Sequence, residues 1–202
     1  ADFTGVEIGI LQSVREIPGF LAFTAVFVLL MIREQFFAYL SLALLGIGVA
    51  IAGYFPSVIG LYLTTFLMSV GFHYFETVKQ SLSLQWLSVD EAPKVLGQLI
   101  AAGSIASLLV YSCLWLFQGY FGVSYEAIYI FGGGLCLMLT AWTWAVFPRF
   151  ESTVVQRKNL VLRKRYWLYY ALTFMGGARR QIFVVFAGFL MVEKFDYSVS
   201  DV

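Results

Sequence analysis

Six long apolar segments run through this chain and limit what it can fold into. A bilayer core about 30 Å thick requires roughly 20 apolar residues of helix, and each segment meets or exceeds that length. In lipid, only helices and closed barrels satisfy their own backbone hydrogen bonds, and the alternating strand pattern of a barrel is absent from the sequence. We therefore predict an all-α membrane protein, a polytopic bundle of six transmembrane helices at residues 6–32, 36–55, 58–87, 95–117, 125–147 and 166–192.

The composition agrees with a chain whose solvent is mostly lipid. Its residues are 60% hydrophobic and 12% charged, whereas an ordinary soluble domain carries about 25% charged residues. The two cysteines, Cys113 and Cys136, lie within apolar segments and lack the spacing of metal ligands. We expect them to be small buried hydrophobic residues, with a disulfide at membrane depth as the alternative. The expected partner is the lipid bilayer, and we expect no cofactor, no metal and no nucleic acid.

The connection at residues 148–165 is longer and more basic than the others. It holds six of the thirteen basic residues, and with helices of alternating direction eight basic residues fall on its side against one, Lys194, on the other. Because basic loops face the cytoplasm, we expect this linker to be cytoplasmic, in a plasma membrane or a bacterial inner membrane. The predicted organisation is a helical region at 1–147, the basic linker at 148–165, and a last helix with its external loop at 166–202.

Three short stretches carry a family likeness. Residues 4–23 read TGVEIGILQSVREIPGFLAF, residues 32–35 read IREQ, and residues 88–97 read SVDEAPKVLG. Together with the basic linker, their layout resembles the major facilitator superfamily, where they correspond to the second helix, the turn before the third helix and the start of the fifth. The resemblance implies transport by alternating access, and a chain that holds helices two to seven of a longer protein. On this basis residues 1–147 are the remainder of the N-terminal helical half, and residues 166–202 are the first helix of the C-terminal half with the external loop that follows it.

Ionisable residues are confined to three of the six apolar segments. Inside hydrocarbon such a side chain costs several kcal/mol unless it is paired or hydrated, so it usually marks a pathway. Segments 36–55 and 125–147 hold no charge beyond Glu126 at one end. We predict that these two lie on the outside of the bundle, as the resemblance also implies, and that the first, third, fourth and sixth segments surround a polar cleft. The charged residues are Arg15, Glu16, His73, Glu76, Lys79, Arg179 and Arg180.

In the first segment, Gln12, Arg15 or Glu16, and Gly19 recur at helical spacing and share a face. Arg15 lies roughly 14 Å along the helix from the start of the segment, too deep to reach the interface easily. Pro18 removes a backbone hydrogen bond nearby and can open the helix locally. We predict that Gln12 and Arg15 bind substrate and that Glu16 takes part in proton coupling. The alternative is that Arg15 and Glu16 pair with other helices and hold the bundle together.

In the third segment, His73 shares a face with Glu76 and Gln80. His73 is the chain's one histidine, and an imidazole titrates near neutral pH, which suits proton coupling. A carboxylate one turn away can share its proton or shift its pKa, so we predict a proton-coupling role for His73 with Glu76 or Glu16. The alternatives are that His73 is a packed residue and that Glu76 forms an ordinary solvated ion pair with Lys79.

In the sixth segment, Arg179, Arg180 and Gln181 follow a Gly-Gly pair near the middle of the predicted helix. Glycines permit close helix approach or a local break. Arginine at this depth needs an anionic partner, and its guanidinium fork fits a carboxylate or a phosphate. We predict that Arg179, Arg180 and Gln181 bind substrate, with a purely structural gate as the alternative.

Together these residues predict a secondary transporter that moves a small solute by alternating access. Arginines outnumber the carboxylates at membrane depth, so we expect an anionic or carboxylate-bearing solute, and the lone imidazole suggests symport with protons. One alternative is a non-transporting membrane scaffold or sensor of the same fold. An intramembrane enzyme is disfavoured because the sequence has a single histidine and neither a His-Glu-x-x-His nor a Gly-x-Ser-x-Gly motif.

Overall fold

The computed structural model describes residues 4–149, 163–181, 186–195 and 197, with the backbone alone at residues 177–181. Every regular element in these ranges is helical. The chain divides into two compact units, Ala1–Lys158 and Asn159–Val202.

Five stretches of the first unit are long and apolar enough to cross a membrane. This confirms the prediction of a helical, multi-pass membrane protein for five of the six apolar segments. The first stretch comprises α1, a 3₁₀ turn and α2, and the fourth comprises α5 and a π-helical extension. The elements are α1 (Gly5–Phe20), the 3₁₀ turn (Leu21–Thr24), α2 (Ala25–Val28), α3 (Glu34–Ala52), α4 (Val58–Trp86), α5 (Ala92–Leu114), the π-helix (Trp115–Tyr120) and α6 (Tyr125–Val146).

The sixth predicted segment, 166–192, lies in the second unit and is described in two pieces. A short 3₁₀ helix (Lys164–Tyr166) leads into α7 (Trp167–Gln181), and α8 (Ala187–Phe195) follows. Residues 182–185 lie outside the described part of the chain, and so does the predicted continuity of one helix across them.

Small polar residues and one glycine set the ends of the spans. The hydroxyl of Ser57 accepts a hydrogen bond from the backbone N–H of Gly60 at 3.0 Å, and the hydroxyl of Ser124 accepts one from the backbone N–H of Ala127 at 3.3 Å. These two serines cap the first turns of α4 and α6. After the π-helix, Gly122 adopts a φ of 62°, a left-handed conformation that glycine reaches without steric cost. Such a residue terminates a helix and turns the chain toward the next one.

Glycines bring α3 into close contact with two neighbours. A Cβ at Gly71 of α4 would lie 2.8 Å from the Cα of Leu45 in α3, and a Cβ at Gly133 of α6 would lie 2.6 Å from the Cα of Ala50. Real side chains do not tolerate such distances, so the helix backbones approach each other only because these positions lack a side chain. The helices of the first unit therefore pack in the order α1, α4, α3, α6.

The place of α3 between two neighbouring helices concerns one prediction. Segment 36–55 is predicted to lie on the outside of the bundle, but among the described helices α3 lies between α4 and α6. Of the residues in its most apolar stretch 33% are buried, whereas the share is 22% for α4 and 11% for α6. This packing follows from small residues on the facing helices, and the place of 36–55 outside a polar cleft stays a prediction. The other uncharged helix, α6, lies at the end of the row.

Helix α5 stands largely apart from the other described helices. No residue of α5 is buried, and open space surrounds the positions where Gly97 and Gly103 would carry a Cβ. Its contacts with α4 are few. Of the predicted contacts around a cleft, the described residues therefore show an extensive one between the first and third segments, α1 with α4, and a slight one between the third and fourth, α4 with α5.

Candidate functional site

The polar residues of the first and third segments meet where α1 packs against α4. At the centre of this contact, the imidazole of His73 rests on the backbone of Gly19. A Cβ at Gly19 would lie 2.7 Å from the imidazole Cε1 and 2.9 Å from Nδ1, so the ring fits because position 19 has no side chain. Gly19, which belongs to the predicted polar face of α1, thus lies on the side of α1 that contacts α4.

Hydroxyl groups of α4 bind the first span at three levels. The hydroxyl of Tyr62 donates to the backbone oxygen of Glu7 at 3.3 Å. The buried hydroxyl of Ser69 donates to the backbone oxygen of Arg15. Farther along, the hydroxyl of Tyr74 lies 2.5 Å from that of Thr24, in the 3₁₀ turn. The contact between α1 and α4 is therefore directional and polar, whereas the contact of α4 with the middle of α3 relies on small residues.

The first span changes its helical form close to this contact. Pro18 is fully buried and lies within α1, where its missing N–H leaves one backbone carbonyl without its usual helical partner. The α-helix ends at Phe20, and the 3₁₀ turn Leu21–Thr24 follows. The helix continues through Pro18 as far as Phe20, so the local opening predicted from Pro18 stays a prediction. The 3₁₀ turn separates α1, which holds the site residues, from the short α2.

Arg15 and Gln12 lie side by side on α1, as their spacing predicts. The guanidinium Nη1 of Arg15 donates to the Oε1 of Gln12 at 3.5 Å, which is the long limit for a hydrogen bond. Both side chains are half-buried, and the partner of the guanidinium is neutral. Because a guanidinium carries five N–H donors, Arg15 retains the capacity to bind an anion.

The imidazole of His73 is half-buried and partly unsatisfied. Its Nε2 is buried and has no hydrogen-bond partner among the described residues. The ring of Phe72 meets the imidazole edge to face, with 5.2 Å between the ring centroids. The charged groups that act on the imidazole are those of Glu16, Arg15 and Glu76. A proton on this buried nitrogen would leave its N–H without an acceptor, so protonation becomes favourable only when an anion or a water molecule reaches the ring.

The two carboxylates predicted to serve His73 differ in their surroundings. The Oε1 of Glu76 forms an ion pair with the Nζ of Lys79 at 2.5 Å, and the two side chains are 43% and 46% exposed. This geometry is that of the solvated pair weighed as the alternative. Glu16 is half-buried on α1 and acts on the imidazole from across the helix contact. The proton-coupling roles of both carboxylates stay predictions.

The remaining predicted site residues belong to the second unit. The backbones of Arg179, Arg180 and Gln181 form the last turn of α7. Their side chains lie outside the described part of the chain, and their substrate-binding roles stay predictions. Gly176, just before them, is surrounded by open space.

Two groups of residues with a clear structural role carry no strong signal in the sequence. At the far end of α4, the carboxylate of Glu34 accepts hydrogen bonds from Ser81, at 3.1 Å, and from Gln85. The spacing of Ser81 and Gln85, one helical turn apart, is the signal that could have identified these two hydrogen-bond donors. Ser69 gives no such signal, because a lone serine hydroxyl in an apolar helix usually bonds to its own backbone. Tyr74 gives none because it is one of twelve tyrosines, and the sequence does not show whose hydroxyl reaches another helix.

No family model, no curated protein and no solved structure matches this chain. The likeness to the major facilitator superfamily therefore rests on the layout of the sequence motifs, and a functional conclusion rests on the residues at the contact of α1 with α4.

Proposed function

We propose that this protein transports a small anionic solute, such as a carboxylate, across the membrane by alternating access and in symport with protons. One observation carries the proposal: a half-buried guanidinium, that of Arg15, has a neutral hydrogen-bond partner and lies at the same helix contact as the half-buried imidazole of His73. Both groups belong to helices of membrane-spanning length.

The charge of Arg15 supports selectivity for an anion. A cation removed from water is costly unless a group of opposite charge accompanies it. The neighbour of Arg15 is the amide of Gln12, which offers hydrogen bonds without neutralising the charge. A bound carboxylate would neutralise the guanidinium and accept two of its N–H groups in parallel, the strongest arrangement open to this pair.

The position of His73 supports coupling of that anion to a proton. A negative charge close to an imidazole favours its protonated form. Binding of the anion beside Arg15 would therefore increase the proton affinity of His73, and protonation of His73 would increase the affinity for the anion by the same factor. Cooperative binding of an anion and a proton is the requirement for symport.

Two further features support alternating access. The first span changes from α-helix to the 3₁₀ turn Leu21–Thr24, and a 3₁₀ stretch within a helix often marks a functional hinge. The resemblance to the major facilitator superfamily supports the same mechanism, with the basic linker on the cytoplasmic side. Substrate binding by Arg179, Arg180 and Gln181, and a place in a plasma membrane or a bacterial inner membrane, belong to the same proposal.

The test is uptake of labelled anions by proteoliposomes that contain the full-length protein. The panel consists of monocarboxylates, dicarboxylates and phosphate monoesters, with organic cations as the comparison class. We expect an anion to accumulate when the inside is alkaline, and a protonophore to abolish its accumulation. Arg15→Lys keeps the charge but loses the fork, so the affinity should fall about tenfold or more.

Arg33→Lys is the matched control, because Arg33 is exposed just before α3 and lies outside the site. It should leave uptake unchanged. Transport of cations instead of anions, or normal affinity in the Arg15→Lys variant, would contradict the proposal. Binding of an anion without transport would favour the scaffold or sensor alternative.

A further inference from the structure

The start of the second unit presents three kinds of side chain in sequence. Three basic residues, at 163–165, come first, four aromatic residues follow within 166–170, and apolar residues predominate from 171 to 175. All of these side chains are exposed. Trp167 and Tyr169 are exposed to 67% and 66%, so the aromatic rings do not serve as packing within this unit.

The basic and aromatic residues are held together by direct contacts. The guanidinium of Arg165 lies over the ring of Tyr166, 4.9 Å from its centroid. The backbone N–H of Arg163 donates to the hydroxyl of Tyr170 at 3.4 Å. The 3₁₀ helix Lys164–Tyr166 joins them to α7. The three basic residues are thus fixed at one end of the aromatic layer.

The dimensions of this layer match those of a membrane interface. Four helical steps from Tyr166 to Tyr170 span about 6 Å. The polar region on each side of the hydrocarbon core is roughly 5–7 Å thick. With the aromatic rings in that region, the basic residues lie at the level of the lipid phosphates, and Met175 lies in the hydrocarbon. The order of the side chains therefore follows the order of the bilayer's own layers.

We propose that Arg163, Lys164 and Arg165, with the adjoining aromatic layer, bind the headgroups of anionic phospholipids and so anchor the start of α7. Guanidiniums bind phosphate oxygens in pairs, and basic residues beside a membrane helix attract anionic lipid. Tyrosine and tryptophan prefer the headgroup level. A free phosphate would satisfy the charges but would leave the aromatic and apolar layers without a partner. This lipid site is independent of the proposed transport function.

The experiment is titration of the full-length protein, in a neutral detergent, with phosphatidylglycerol or phosphatidylcholine, while native mass spectrometry counts the bound lipids. The parent protein should bind phosphatidylglycerol more tightly. The Arg163→Gln/Arg165→Gln variant should bind it about 30-fold more weakly, which corresponds to about 1 kcal/mol for each removed charge. Binding of phosphatidylcholine should not change.

The control variant is Arg33→Gln/Lys94→Gln, which also removes two exposed basic residues, at the starts of α3 and α5. It should bind phosphatidylglycerol as the parent does. An equal loss in the control would show that only the overall charge attracts the lipid, and would overturn the proposal. Competition by inorganic phosphate as effective as that by the lipid would also overturn it, because the site would then bind a small anion. Thermal unfolding of both variants verifies that they fold.

Discussion

Replacement of Gly19 by alanine places a methyl group where the imidazole of His73 now lies. The new Cβ would come within 2.7 Å of Cε1, 2.9 Å of Nδ1 and 3.1 Å of Nε2. Ordinary contacts are several tenths of an ångström longer, so the ring or the helix must move. Because the Nε2 of His73 is already buried, the ring has little room to withdraw. Overpacking of this kind costs about 1–3 kcal/mol.

The matched control is Gly9→Ala, on the same helix, where no heavy atom lies within 4 Å of the new Cβ. Both substitutions replace a helical glycine and gain roughly 0.5–1 kcal/mol from the reduced backbone entropy of the unfolded chain. The comparison therefore isolates the steric cost at the contact with His73. At about 2–4 °C per kcal/mol for a chain of this size, Gly19→Ala should unfold roughly 2–12 °C below Gly9→Ala in detergent.

A second pair of variants tests whether His73 causes the difference in unfolding temperature between Gly19→Ala and Gly9→Ala. In a His73→Ala background the ring is absent, and Gly19→Ala should then unfold at the same temperature as Gly9→Ala. The coupling energy between positions 19 and 73 should be about 1–3 kcal/mol, within the range for residues in contact. Equal unfolding temperatures of the two glycine variants with His73 present would refute the close contact, and with it the placement of the imidazole on α1.

Two further predictions concern the other contacts of α4. Gly71→Ala should destabilise the protein strongly, because the new Cβ would meet the backbone of α3, which cannot yield as a side chain can. The control is Gly103→Ala, in open space on α5, which should not destabilise the protein. Thermal unfolding of the two variants measures the difference. Ser69→Ala should cost roughly 0.5–1.5 kcal/mol because the hydrogen bond to the Arg15 carbonyl is lost. Ser104, whose hydroxyl bonds within its own helix, provides the control for Ser69, and equal effects of the two serine variants would contradict the prediction.

The sequence predicted the positions of the spans well, because their lengths and caps are local properties. The predicted segment 58–87 is observed as Val58–Trp86, and 125–147 as Tyr125–Val146. The ends agree because a serine cap precedes each helix and a continuous apolar run follows it. The segment 95–117 is observed as Ala92–Tyr120, since Pro93 fits the first turn of a helix and a π-helix extends the other end.

Which helices pack together could not be predicted from local pattern. The place of α3 between its two neighbours follows from glycines on α4 and α6 that face it, and their partners are far away in the chain. The polar face of α1 was predictable from the spacing of Gln12 and Arg15. The hydrogen bond of Ser69 to α1 was not, because the sequence does not distinguish it from Thr64 and Ser104, whose hydroxyls bond to their own helices.

Proton coupling through His73 is tested most directly by transport in proteoliposomes that contain the His73→Gln variant. Glutamine retains hydrogen-bonding groups of similar reach but neither gains nor loses a proton near neutral pH. We expect this variant to lose the accumulation of solute that a pH gradient drives, and to retain the exchange of labelled for unlabelled solute, which needs no net proton movement. Unchanged gradient-driven accumulation would show that His73 is a packed residue and would contradict the proposed symport.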